Sequence, residues 1–193
     1  MPDATGLMAT GSFYARAMNI IPYEMLANTT PVVLTNPTAA TDLMTFTVPT
    51  NPNGNGCIIN KLGAGFLVYA QGNINLAAAS TLVFTVKLGT VTIATITTAS
   101  QTNTAVVLNW QLDLDIITSA VGSSGTVEAH GKLFFDSGAT LAAAASVFQD
   151  SITAASAAID LTQNPVLEVM ANLGSGNASS TVTARVLRVI LIQ

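Results

Sequence analysis

The sequence predicts an all-β chain, an antiparallel sandwich of about eight to ten strands entered through an extended N-terminal arm. Three observations predict it. Apolar and polar residues alternate with a period of two through several segments, Thr- and Val-rich runs are punctuated at short intervals by Gly, Pro, Asn and Ser, and no segment carries a convincing helical period. The expected division is an arm over residues 1–30 and a sandwich over residues 31–193.

Within the arm, Phe13, Tyr14, Met18, Ile20, Ile21, Tyr23, Met25 and Leu26 follow no clean period and are interrupted by Pro22. A short helix over Ser12–Met18 is one reading and an extended segment the other. So apolar a stretch has too little polar character to float free. Its apolar side chains are therefore expected in grooves, either of the same subunit or of a neighbour, and local sequence does not say whose.

Pro31–Thr35 and Thr41–Pro49 read as the first strands, with NPTAA turning between them. Asn51–Gly56 (NPNGNG) is the densest turn in the chain. Cys57–Leu62 and Ala64–Ala70 (AGFLVYA) read as the next strands, closed by Gly72–Asn73. In Ser80–Leu88, Leu82, Phe84, Val86 and Leu88 share a face, and Val91–Thr98 returns after the two-residue turn Gly89–Thr90.

The chain is organised around the stretch from Ala105 to Phe135. Leu108, Trp110, Leu112, Leu114 and Ile116 alternate with Asn109, Gln111, Asp113 and Asp115, then TSAVGSSG turns, and Val127, Ala129, Gly131, Leu133 and Phe135 alternate with Thr126, Glu128, His130 and Lys132. Charge selects the register. Setting Asp113 opposite Lys132 and Asp115 opposite His130 places Trp110 beside Phe135, whereas a slip to Glu128 opposes like charges at roughly 0.2–1 kcal/mol per pair. This hairpin carries the only Trp and the only His of the chain, and its polar face is the most charged strand surface in the sequence.

Residues 136–158 break the pattern and read as a small-residue loop or a short helical turn, with Ala142–Ala145 as the helical candidate. Alternation resumes in PVLEVMANL, Gly174–Ser180 turns, and Thr181–Gln193 is a long final strand. Arg185 and Arg188 have opposite parity there, which requires either a β-bulge near Val186–Leu187 or two covered faces. Among sandwiches, the jelly roll of two packed four-stranded sheets is the version expected, a fold used in virus shells and lectins.

Composition limits what such a sandwich can do. Of 193 residues, half are apolar and only 8% are charged, with a net charge of −4 and a mean hydropathy of +0.54. Soluble monomers carry about 25% charged residues. No run approaches the roughly 18–20 apolar residues of a spanning helix, and with 6% aromatics the girdles of a membrane barrel are missing. The expectation is a subunit whose surface is largely covered by neighbours. Scattered Lys and Arg give no nucleic-acid footprint. MPDATGLMAT has no secretory signal, so a protein made in the cytosol, retained there or released by lysis, is expected.

Chemistry is poorly supplied. Cys57 cannot form an internal disulfide and reads as core. A triad from His130, Asp115 or Asp113 and a serine would lie on a wet sheet face rather than around a pocket, so no catalytic residues are assigned. Asp113, Asp115 and Glu128 on a flat strand converge poorly for Ca²⁺, so no metal or other cofactor is expected. GTVEAHGK has the wrong spacing for a phosphate loop. Asn177–Ala178–Ser179 and Asn28–Thr29–Thr30 match the glycosylation triplet but mean little without a signal. Sugar binding needs exposed aromatics, and Phe46, Phe66, Phe84 and Trp110 all fall on core phases.

The order of segments VPTNPNG, GAGFLVYAQG, STLVFTVKLGTVTIAT, LNWQLDLDIIT, VGSSGTVEAHGKLFF and TARVLRVILIQ resembles a loose class of tailed-bacteriophage virion proteins built on a jelly-roll β-sandwich. The Lys-Leu-Gly hairpin, the Trp strand and the Gly-Ser-Ser-Gly turn carry the likeness, over roughly residues 40–193. It implies a non-catalytic virion structural role. A capsid decoration (cement) protein that clamps neighbouring capsid subunits is the first expectation, as a homotrimer on the capsid surface with the major capsid protein as partner. The alternatives are a tail, baseplate or head-fibre component, or a glycan-binding adsorption module.

Overall fold

The computed structural model describes residues 23–98, 107–135, 149–153, 156–174 and 179–192. Eleven strands form among them: β1 Tyr23–Asn28, β2 Val32–Thr35, β3 Thr41–Thr47, β4 Gly65–Asn75, β5 Leu82–Leu88, β6 Val91–Thr97, β7 Leu108–Ala120, β8 Thr126–Phe135, β9 Gln149–Thr153, β10 Val166–Leu173 and β11 Thr181–Ile192. They make two antiparallel sheets. The larger runs β1–β11–β4–β7–β8–β9, with β2 also on β11, and the smaller runs β3–β10–β5–β6. The chain changes sheet between β2 and β3, β3 and β4, β4 and β5, β6 and β7, β9 and β10, and β10 and β11, so each of these consecutive pairs lies in opposite sheets.

Period-two patterning is what builds this sandwich. β5 and β10 alternate buried and half-buried residues without a break, and β4 and β7 do so over nearly their whole length. The buried phases of both sheets meet as one apolar cluster. Two aromatic pairs bridge the sheets: Phe84 against Trp110, with ring centroids 4.7 Å apart, and Phe46 edge-on to Phe66 at 5.9 Å. Such pairs contribute roughly 0.5–1.5 kcal/mol beyond burial. Apolar phases point inward, the reverse of a lipid-facing barrel.

The hairpin register is the one that charge selects: Asp113 pairs with Lys132, Asp115 with His130 and Trp110 with Phe135. In β11 a bulge between Ala184 and Val186 resolves the arginine parity. Val182 and Ala184 before it, and Leu187, Val189 and Leu191 after it, all reach the core, while Arg185 and Arg188 are both exposed. The extra residue resets the alternation.

Elsewhere the local reading needs correction. Cys57–Leu62 is not a strand. Its backbone is taken up by a single bridge from Cys57 to Thr50 and by tight turns, with Asn60 N donating to the Cys57 carbonyl (2.9 Å) and Lys61 N to that of Ile59 (2.7 Å). Nor do Gly72–Asn73 close β4, which continues to Asn75. Gly72 is there for space: a Cβ would collide with the Thr183 carbonyl oxygen and stand 2.8 Å from Trp110 Cζ2. Within 136–158, Gln149–Thr153 is strand β9, held by pairing with Ala129–Leu133 of β8. The Ala142–Ala145 helical reading lies outside the described residues.

At the N-terminal end, β2 pairs with the first half of β11 and β1 with the second, from Tyr23 opposite Leu191 to Asn28 opposite Leu187. Residues 23–28 therefore complete the edge that the short β2 leaves open. Met25 and Leu26 are partly buried against the core. Phe13, Tyr14, Met18, Ile20 and Ile21 lie outside the described residues.

Candidate functional site on the outer face of the larger sheet

Strand pairing lays the outward side chains of β11, β4, β7 and β8 in rows across the sheet. One row reads Ile190, Leu67, Asp115, His130, the next Arg188, Tyr69, Asp113, Lys132, and the third Val186, Gln71, Gln111, Phe134. These rows follow from two features of the sequence. Phe66, Val68 and Ala70 take the core phase of β4 and push Leu67, Tyr69 and Gln71 outward, and the β11 bulge brings Val186, Arg188 and Ile190 onto the same face.

A groove of about 520 Å³ lies over the centre of these rows, with Leu67, Tyr69, Gln71, Asp113, Arg188 and Ile190 among its walls. Its polar groups are tied together. The Tyr69 hydroxyl bonds Gln71 Oε1 at 2.8 Å and Gln111 Oε1 at 3.3 Å, and Gln111 Nε2 donates to both oxygens of Asp113, at 3.1 and 3.2 Å. Arg188 lies at the opposite wall, its Nε 4.0 Å from Glu24 Oε1, with both side chains about half exposed. That pair is surface-screened and adds little to stability. Farther along β11, Arg185 Nε and Nη2 each lie 3.0 Å from the Asn73 side-chain oxygen, oriented toward them.

The residues weighed for catalysis and metal binding are placed apart from this groove or in simple register. His130 and Asp115 are exposed partners on the open face. Glu128 pairs with Ile117, away from Asp113, and no group of three or more His, Cys, Asp or Glu side chains converges among the described residues. Cys57 is fully buried, and burial pushes its thiol pKa up, against backbone hydrogen bonds that pull it down. A buried neutral thiol is a poor nucleophile. A second hollow of about 220 Å³ lies between the β5–β6 turn and the 158–165 loop, walled by Gly89, Thr90, Asp160, Gln163 and Pro165.

Phe66, Phe84 and Trp110 are buried, and Phe46 is packed against the core, as their phases predict. Besides Phe134, the aromatic that faces outward on these rows is Tyr69, which the sequence reading did not single out. Its phase opposite Phe66 and Val68 was the available signal. The convergence of Arg188 on it was not legible, because it depends on pairing across more than a hundred residues. No family model matches the chain, and neither do curated proteins or solved structures.

Proposed function

We propose that the chain is a non-catalytic virion structural subunit, in the first instance a capsid decoration protein that clamps neighbouring capsid subunits. The observation that carries this reading is the scarcity of charge on the molecule's broad faces. Six Lys and Arg and ten Asp and Glu serve 193 residues. The outer face of the smaller sheet is the extreme case. Its rows read Thr45, Glu168, Lys87, Thr92, then Asp42, Met170, Thr85, Thr95, then Asn172, Val83, Thr97, with Glu168 and Lys87 directly opposed. A threonine-rich face whose three charges include one opposed pair desolvates more cheaply against another protein than an ordinary charged surface.

The interleaved strand order supports reading the sandwich as a jelly roll. At one end, Leu62 and Val121 are exposed on loops joined by the Gly122 N–H donating to Asn60 Oδ1 at 2.8 Å, an apolar tip suited to a partner's surface. Each Å² of apolar area covered contributes about 25 cal/mol, less the cost of association. The partners are the major capsid protein and two further copies of this chain, in a trimer.

Copy number in purified virions tests the reading. Abundance comparable to the capsid protein supports decoration, a handful of copies moves the chain to tail, baseplate or head fibre, and absence from the particle overturns the virion role. Light scattering of the purified chain at three times its 19.8 kDa mass is the expected result for the trimer.

A further inference from the structure

We propose that the groove over β11, β4 and β7 is a saccharide site that seats one neutral pyranose ring on Tyr69. This goes beyond the structural role above and does not rest on it. Side chains on a strand ordinarily stand off the sheet. The Tyr69 hydroxyl is instead bonded to Gln71, two residues along its own strand, and to Gln111 on the next. Those bonds tie the hydroxyl end of the ring to neighbours on the same sheet face, and the side chain lines the groove. The C–H edge of a pyranose packs on the electron-rich face of an aromatic ring.

Groups that match hydroxyl pairs flank the ring. Asp113 is the register partner of Tyr69 on one side and Arg188 on the other. At a strand spacing of 4.7–4.9 Å their backbones lie about 10 Å apart with Tyr69 midway, a span that hydroxyls on the two edges of one hexose bridge. A carboxylate accepts from two neighbouring hydroxyls and a guanidinium donates to two. Leu67, Val186 and Ile190 supply apolar wall, and about 520 Å³ is within the range of small-ligand sites.

Charge selects the ligand class. Asp113 in the wall opposes an anion, and Arg188 opposes a cation. A neutral polyhydroxylated ring satisfies both walls.

The test is ligand-observed saturation-transfer NMR and calorimetry on the full chain with the methyl glycosides of glucose, galactose, mannose and N-acetylglucosamine. The expected result is saturable millimolar binding of at least one glycoside. Tyr69→Ala weakens it at least about tenfold, Arg188→Gln weakens it as well, and Thr95→Ala on the other sheet leaves it unchanged. Arg188 is exposed, so its variant keeps the test open where Tyr69→Ala fails to fold. No binding of any of the four glycosides, or binding that survives both groove substitutions, overturns the proposal. Virion copy number is unaffected by either outcome, so the two readings fail separately.

Discussion

At Gly72 an added methyl group meets the Thr183 carbonyl and the edge of Trp110, neither of which can retreat without opening the sheet. Gly72→Ala is expected to cost about 1–3 kcal/mol in urea unfolding. Gly131→Ala, where the nearest atoms are the methyl tips of Ile96 and Leu114 at 3.0 Å, is expected to cost less than about 1 kcal/mol. Cys57 gives a pH signature. Burial raises the thiol's pKa in the folded chain, so its contribution is whole below the ordinary thiol value and is lost as pH rises through the folded-state value. Unfolding free energy is expected to fall on the alkaline side, and Cys57→Ala to flatten that fall while lowering stability throughout. A thiol-reactive dye is expected to label Cys57 only after denaturant is added.

Among the elements, the β7–β8 hairpin was legible because its alternation is strict and its charges discriminate between registers. Lys132→Glu sets like charges opposite Asp113 and is expected to cost roughly 0.2–1 kcal/mol, with Asp113→Lys in the same chain restoring it. A double-mutant cycle read by thermal melts checks this. The β11 bulge was legible for a related reason, since two charged side chains of opposite parity cannot both be wet on a regular half-buried strand. β9 was not legible: Gln-Asp-Ser-Ile-Thr shows no alternation, and it is a strand because β8 offers it an edge. Cys57–Leu62 misled in the opposite direction, Cys57 and Ile59 reaching the core from turns rather than from a ladder. The groove shows both cases together, for Tyr69 declares its face locally while Arg188 joins it only through long-range pairing.

For the whole molecule, the arm and the sandwich meet at β1. Removing residues 1–22 leaves β1 on β11, and the truncated chain is expected to melt cooperatively. Removing residues 1–30 strips β1 and bares the backbone of Leu187–Leu191, so a lower melting temperature and edge-driven aggregation are expected, read by calorimetry and light scattering. If the arm clamps a neighbour, the shorter truncation also loses capsid binding while remaining folded. If the intact chain binds capsids as proposed, equal binding by the shorter truncation would exclude the arm from that contact.

Trp110 lies against Phe84 of the facing sheet, with its Nε1 buried and without a partner among the described residues. The indole is thereby shielded from water by the sheet-to-sheet contact itself, and no other tryptophan competes with it. Its intrinsic fluorescence should emit toward the blue while the two layers stay closed and move red when they part. The chain thus carries a built-in optical gauge of its own interior.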